Sequence, residues 1–410
     1  MAKLICRACK STDLIEVLNL GSQPIAFKLL NSPKEKPKKY PLAIHFCKSC
    51  GLTQVCNPVN PEELYQEDTY WMSSWKLQPH SQDEMKMILS HVSQGAVIEI
   101  GSNDGMFLEL LRKNGFKTLV GIDPNKTINK LAKEKGFPVL ENFLNENICK
   151  QAVKEYGSFQ VVVARQVLEH VTDMQAFFHC LHLLLKEGGY ALIAVPDFEV
   201  SLDAGDCAVI YDEHINHFTQ QVLERTLKSF GFKPLMAGKY AYSGGILAIL
   251  AQKMSSEQGK KVSLSIDSSA EKQILSYADK VKNYSSILKK TLRDAHKKGF
   301  TVVLYGVGVR GSALVNALSL GSLIDFAVDD QKKRQGQYLP TGKIPIHDSA
   351  VLAQHKKPLL CLLAVGEEND SAVKDKVNKI KQSQVEFLPL FSPANILEEL
   401  LKLRKSIIEK

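Results

Sequence analysis

The chain has 410 residues, of which 44% are apolar and 23% charged, and a formal net charge of +8. That length allows two or three domains of ordinary globular composition. No apolar run approaches the roughly 20 residues needed to span a bilayer, and no RNA-binding motif or basic stripe interleaved with aromatics is present, which argues against membrane and nucleic-acid partners.

The N-terminus, MAKLICRACK, carries no apolar targeting core, so a cytoplasmic protein is expected. Basic residues cluster at Lys34–Lys39 and Lys289–Lys298. These read as solvated faces whose mild positive field would help an anionic substrate arrive.

Residues 1–60 read as a small metal domain. Cys6 and Cys9 form one CxxC, and Cys47 and Cys50 form another. Two such pairs supply four thiolates, the ligand set of structural Zn²⁺, and leave no open position for metal catalysis. Cys56 is read as a non-ligand, and Cys149, Cys180, Cys207 and Cys361 as buried structural thiols. Residues 61–94 read as a helical connector holding the aromatic segment EDTYWMSSW.

From 95 to 253 apolar strand-like runs alternate with helical patterns: AVIEIG, TLVGID, VVVARQV, YALIAVP and GGILAILAQK. Such alternation means a mostly parallel sheet covered by helices, with the last run as an edge-type closing strand. A polar connector helix is expected over 254–299. A second Rossmann-like α/β unit over 300–410 begins with TVVLYGVGVRG and ends in an amphipathic helix. The fold class is therefore α/β, with a zinc-binding domain ahead of two Rossmann-like domains.

In the central unit, strand VIEI ends at Gly101, and Ser102-Asn103-Asp104-Gly105 leads into a helix. A glycine turn after the first strand admits a ligand to the backbone. Asp123, 22 residues beyond Gly101, closes the second strand, where an acid can bond both ribose hydroxyls. Glu99 precedes the glycine, and an acid there is unfriendly to a pyrophosphate. It suits a cationic ligand, so S-adenosylmethionine is favoured over NAD. The third strand ends at Arg165 and Gln166, and His170 follows at helical spacing from Gln166. Its alternative is a packed or capping histidine.

After the fourth strand comes IYDEHINHFT, Ile210–Thr219, with a tyrosine, two acids and two histidines in ten residues. It falls at the mouth of the same cleft. Methylation at carbon next to a ketone needs a base and a group that steadies the enolate. His214 suits the base, Tyr211 a donor to the enolate oxygen, and Glu213 a contact to substrate hydroxyls or to the imidazole. A polar loop cap is the structural alternative.

These pieces, in order and spacing over nearly the whole chain, resemble the sugar C-methyltransferases of deoxysugar biosynthesis. The matching segments are CRAC and CKSC, YWMSS, EIGSNDG, ARQVLEH, the YDEH loop, YGVGVRG and DDQKKRQGQYLPTGKIPI. The resemblance implies S-adenosylmethionine-dependent methylation of a nucleotide-diphosphate-linked 4-keto-6-deoxysugar, at C-3 in most members. It implies His214 as base, with Glu213, Tyr211, His170 and Tyr70 in the active site. The loop and strand-end residues Glu99, Gly101, Asn103, Gly105, Asp123 and Gln166 are the expected cofactor contacts. Asp212, His217, Gln166 and Arg310 depart from the residues common in that family. The expected assembly is a monomer or weak homo-oligomer. Rival readings are an O- or N-methyltransferase, an NAD-linked oxidoreductase built on GVGVRG, and a non-catalytic nucleotide-sugar-binding protein. Arg310 inside that second glycine loop is a candidate phosphate contact.

Overall fold

The computed structural model describes residues 4–64, 77–255, 268–381, 384–391 and 396–409. Tyr70 and the rest of EDTYWMSSW lie outside the described residues.

The N-terminal sheet has four antiparallel strands in the order Leu14–Pro24, Lys39–Cys47, Thr53–Val55 and Asn216–His217. Leu42, Ile44 and Phe46 alternate along the second strand and turn one face into the core. The fourth strand was not anticipated. It comes from the IYDEHINHFT segment, far away in sequence, and pairs Gln54 with Asn216 and Thr53 with His217.

The central sheet has seven strands in the order Phe232–Tyr240, Ile246–Lys253, Leu185–Pro196, Phe159–Arg165, Ala96–Ile100, Thr118–Ile122 and Val139–Leu140. The last five run parallel, and Ile246–Lys253 is antiparallel to both of its neighbours. Strands covered on both faces are apolar throughout. Ile98 and Ile100 enter the core on one side of the sheet, and Val97 enters the core on the other.

One expectation is corrected here. The run ILAILAQK is an interior strand, not an edge. The edge is Phe232–Tyr240, whose Lys233, Pro234 and Lys239 mask its strand character in the sequence. Lysine and proline are the residues that blunt an open edge against further pairing.

The C-terminal sheet is fully parallel, in the order Ile346–His347, Phe326–Val328, Thr301–Tyr305, Leu359–Leu363 and Val385–Pro389. The helix Ser268–Lys297 joins the parts. Its 30 residues bury Tyr277, Val281, Tyr284, Leu288, Leu292 and Ala295 at helical spacing. One hydrophobic core runs from the N-terminal sheet through Val209, Ile210 and Ile215, along this helix, into the C-terminal domain. The segment bearing His214 is thus packed at the junction of all three domains. Among the described residues no helix is long and apolar enough to cross a membrane.

Candidate active site and metal centre

The two CxxC turns fold alike. Lys10 N–H donates to the Cys6 carbonyl at 3.0 Å and Gly51 N–H to the Cys47 carbonyl at 2.8 Å. Both of these closing residues take the left-handed backbone, with φ of 63° and 84°. The turns face each other, with Sγ atoms 3.5 Å apart for Cys6–Cys50 and 3.6 Å for Cys9–Cys47. Four sulfurs about 2.3 Å from one ion lie about 3.8 Å apart in a tetrahedron, so this cluster fits Zn²⁺ with little adjustment. Cys56 is outside it, and its sulfur accepts the Gln54 amide at 3.3 Å.

At the carboxyl ends of the central strands the glycine loop is built by backbone geometry. Gly101 has φ 71°, and a Cβ there would meet Val167 at 2.8 Å. Asp123 closes the second strand and holds the loop from behind. Its Oδ2 accepts Asn103 N–H at 3.0 Å, and its Oδ1 accepts Asn125 N–H at 2.8 Å. Asn103, with φ 51°, folds its side-chain oxygen back onto the Asp104 N–H. Gly105, φ 77°, opens the helix Met106–Lys113.

Glu99 is buried and its carboxyl is pushed up to about 8 by desolvation, which outweighs Arg165 at 3.9 Å. Arg165 itself is bound to Glu84 at 2.8 Å, to Gln78 and Ser81 at 2.9 Å each, and lies over the Phe107 ring. Sequence reading missed the Glu84 partner, since no local pattern links residues 81 positions apart.

Gln166 has φ 55° and breaks the chain out of the strand, its N–H donating to the Ala194 carbonyl at 2.7 Å. The helical relation expected between Gln166 and His170 is corrected. Leu168–His170 is a single 3₁₀ turn, so the two side chains share no helical face. The turn nevertheless brings His170 to the loop. Its Nδ1 donates to the Glu213 carbonyl at 2.8 Å, and its ring stands edge-on to His214 with centroids 5.1 Å apart.

Tyr211, Glu213, His214 and His170 therefore form one cluster. The Tyr211 hydroxyl is 2.6 Å from His214 Nε2. The Val209 backbone acts on the imidazole in the sense that favours its charged form, and burial outweighs it. Burial lowers the His214 pKa well below the usual histidine value, and His170, His217 and Arg310 add to it. Burial alone holds His170 down at about 4. Both rings are neutral at physiological pH. Glu169, which sequence reading passed over, is 1% exposed with neither carboxyl oxygen hydrogen-bonded, and desolvation raises it to about 8. Its oxygen is 3.9 Å from His170 Nε2. An acid inside the apolar run VLEHV was the available signal.

Arg310 lies close to this cluster but is already engaged. It pairs with Asp206 at 2.8 Å and lies over Phe391 at 4.2 Å. In the second glycine loop, Asp329 holds Val307 N–H and Gln331 N–H at 2.8 Å each, and Arg334 caps the same carboxylate at 3.0 Å. A cleft of about 280 Å³ between the central and C-terminal domains is lined by Asp197, Glu199, Asp203, Glu367 and Glu368 and by Lys239, which pairs with Asp197 and Glu199, so acids outnumber the one lysine in a setting unfavourable to a diphosphate.

Three family models tile the chain: a zinc binding domain over residues 6–65, a methyltransferase domain over 80–236 and a C-methyltransferase C-terminal domain over 241–389. The chain is 25% identical over 374 residues to the C-methyltransferase NovU of Streptomyces niveus, spanning 88% of this chain and 89% of that one. A shorter match, 35% over 102 residues, covers 24% of this chain and 27% of the mitochondrial ubiquinone biosynthesis O-methyltransferase of Mus musculus. Among solved structures, an S-adenosylmethionine dependent methyltransferase from Mesorhizobium loti matches at 13% identity and TM-score 0.33, over 42% of this chain and 96% of its own.

The sheet order and glycine loop define an α/β methyltransferase that uses S-adenosylmethionine. With its flanking zinc and C-terminal domains, the chain belongs to the S-adenosylmethionine-dependent C-methyltransferase family. Zn²⁺ is its structural metal, and the cluster of Cys6, Cys9, Cys47 and Cys50 is a ligand set that fits it.

Proposed function

We propose that the chain methylates a nucleotide-diphosphate-linked 4-keto-6-deoxysugar at the carbon next to the ketone, C-3, with His214 as the base. The observation that carries the reading is the Tyr211–His214 pair. Here an imidazole is held neutral by burial, with a phenol 2.6 Å from its Nε2 that we read as the donor to that nitrogen. On entry the ketone oxygen takes over the Tyr211 proton donor, which frees Nε2 to face the acidic C–H. His214 accepts that proton, Tyr211 donates to the enolate oxygen, and the carbanion equivalent would take the methyl group as its bond to sulfur breaks and S-adenosylhomocysteine leaves. A low pKa makes a weak base in the resting protein. An anionic substrate beside the ring would raise it in the complex. His170 orients Glu213 through its backbone carbonyl, and Glu213 is read as a sugar contact.

The donor is assigned to Glu99, Gly101, Asn103, Gly105, Asp123 and Gln166 around the first glycine loop. Asp123 keeps lone pairs for the ribose hydroxyls beyond the two amides it accepts. S-adenosylmethionine supplies an electrophilic methyl group, and the chain orients it toward the loop. Tyr70 is proposed to reach the site from the connector, and the substrate class rests on the family resemblance of the motifs.

The test is methyl transfer from S-adenosylmethionine to a panel of nucleotide 4-keto-6-deoxysugars in heavy water, read by mass spectrometry and NMR. A new C–CH₃, with deuterium wash-in at the neighbouring carbon that disappears in His214→Asn, is expected. An O–CH₃ product would overturn the base assignment.

A further inference from the structure

We propose that Arg7, which lies between the zinc ligands Cys6 and Cys9, is a positioning residue for methyl transfer. It fastens the segment bearing His214 to the metal-stiffened turn. The inference rests on the reading of His214 as the base.

The geometry is specific. Arg7 Nη1 donates to the Ile215 carbonyl at 3.2 Å and to Asn216 Oδ1 at 3.3 Å, and Nη2 donates to the Val55 carbonyl. Its own N–H is taken by Gln54 Oε1 at 2.9 Å, and the Gln54 amide also holds the Ile5 carbonyl at 2.9 Å. The guanidinium fork therefore spans the zinc turn, the third strand of the N-terminal sheet and the two residues that follow His214.

The same segment is gripped elsewhere. Ala26 N–H donates to Asp212 Oδ1 at 2.7 Å, and Val55 N–H to the Ile215 carbonyl at 2.9 Å. From the central domain, Ile215 N–H donates to the Glu169 carbonyl at 2.9 Å, and Asn216 Nδ2 reaches the Leu168 and Val171 carbonyls. His214 thus hangs between two anchored neighbours, one side set by the zinc domain and the other by the turn that carries His170.

The charge arrangement agrees. Four thiolates around Zn²⁺ leave a net negative charge, and the guanidinium adjoining Cys6 offsets it. A planar, five-donor fork can serve two carbonyls and an amide at once, which a lysine ammonium cannot match in geometry. Zinc would then act on catalysis without touching substrate: it fixes the turn, the turn fixes Arg7, and Arg7 fixes the register of His214. A misplacement of about 1 Å in a reacting group can cost roughly 10²-fold in rate.

The experiment uses the full-length zinc-loaded protein and compares Arg7→Met, Arg7→Lys and His214→Asn. Zinc content, donor affinity, kcat and KM, and hydrogen exchange of the peptide covering 210–219 are measured. Arg7→Met should keep its zinc and its S-adenosylmethionine affinity. It should lose roughly 10–10²-fold in kcat and exchange faster over 210–219. Arg7→Lys should recover part of both. Unchanged kcat and exchange in a zinc-retaining Arg7→Met would overturn the inference, and so would loss of the metal in step with activity. Undiminished C-methylation by His214→Asn would instead overturn the base assignment, while faster exchange in Arg7→Met would still report the anchor.

Discussion

The Tyr211 hydroxyl and His214 Nε2 meet at 2.6 Å in a partly buried site, with the imidazole held neutral by desolvation. Under the proposed reading these two groups, only three residues apart, have different duties. His214 receives a proton and Tyr211 gives one. His214→Asn should lower kcat by roughly 10²–10⁴-fold, the range of general-base catalysis. Donor affinity should be unchanged, since the first glycine loop is separate. Tyr211→Phe should reduce kcat less and should shift the deuterium wash-in rate with it. Calorimetry with S-adenosylmethionine alongside steady-state kinetics separates the two effects.

Glu169 should make stability depend on pH in a direction opposite to the histidines. Its folded pKa is raised to about 8 from an ordinary 4.5, so between those values the unfolded chain has lost the proton and the folded chain keeps it. That contribution is fully present below about 4.5 and is lost as pH climbs toward 8. The slope is at most about 1.4 kcal/mol per pH unit. Glu99, also raised to about 8, acts the same way, so the Glu169→Gln variant must be compared with the parent chain. The Tm difference, variant minus parent, should grow more positive from pH 5 to pH 8. For His170, depressed to about 4, the sign reverses. Its contribution is present above about 6.5 and is lost as pH falls toward 4.

Zinc removal should act on the N-terminal sheet first. Cys47 is both a ligand and the end of the second strand, and small zinc folds draw much of their folding energy from the metal. Prolonged chelation, or Cys47→Ser, should remove the one Zn²⁺ held by the four-cysteine cluster and lower Tm. One face of the central seven-stranded sheet has a core separate from the zinc domain, while the core on the other face extends to Cys6, Cys47, Cys50 and Leu52. S-adenosylmethionine binding should therefore weaken less than methyl transfer. Metal analysis, calorimetry and turnover on one sample check the three parts.

The readable features were those written in local chemistry. Two CxxC turns need only a few residues each to declare a metal, and apolar runs such as VIEI and VVVA announce buried parallel strands. Phe232–Tyr240 stayed hidden because an edge strand is kept polar to avoid unwanted pairing. Asn216–His217 stayed hidden because a two-residue strand has no period, and its partner Thr53–Val55 lies some 160 positions earlier. Arg7 is invisible for the same reason, and Glu169 shows only as an acid in the apolar run VLEHV. A guanidinium beside a cysteine or an acid in an apolar run gains its meaning only from what the fold sets against it.

The ion pair of Arg310 with Asp206 should contribute to stability through its burial. The two side chains are 12% and 8% exposed and meet at 2.8 Å between the C-terminal and central domains. Removing one partner strands the other charge, at about 3–5 kcal/mol. Arg310→Met should therefore lower stability far more than the double variant with Asp206→Asn. Denaturant unfolding of the four proteins of that cycle gives the coupling directly.

The two glycine loops lead to different expectations for cofactor binding, although their acids are placed alike. Asp123 and Asp329 each close a second strand, each hold a glycine-loop amide through Oδ2, and each hold the amide two residues on through Oδ1. Asp329 alone is also capped, by Arg334 at 3.0 Å. A guanidinium on that carboxylate takes acceptor capacity that a ribose would need. Asp123 carries no such cap and remains open to two hydroxyls. Asp123→Ala should weaken S-adenosylmethionine binding by roughly 10–10²-fold, the value of hydrogen bonds to a charged group, provided the loop amides find water. Asp329→Ala should leave that affinity unaltered. Calorimetric titration of the parent chain with NAD⁺ should show no heat of binding. A measurable NAD⁺ affinity that Arg334→Ala strengthens would show the cap to be a gate and would return the second loop to cofactor duty.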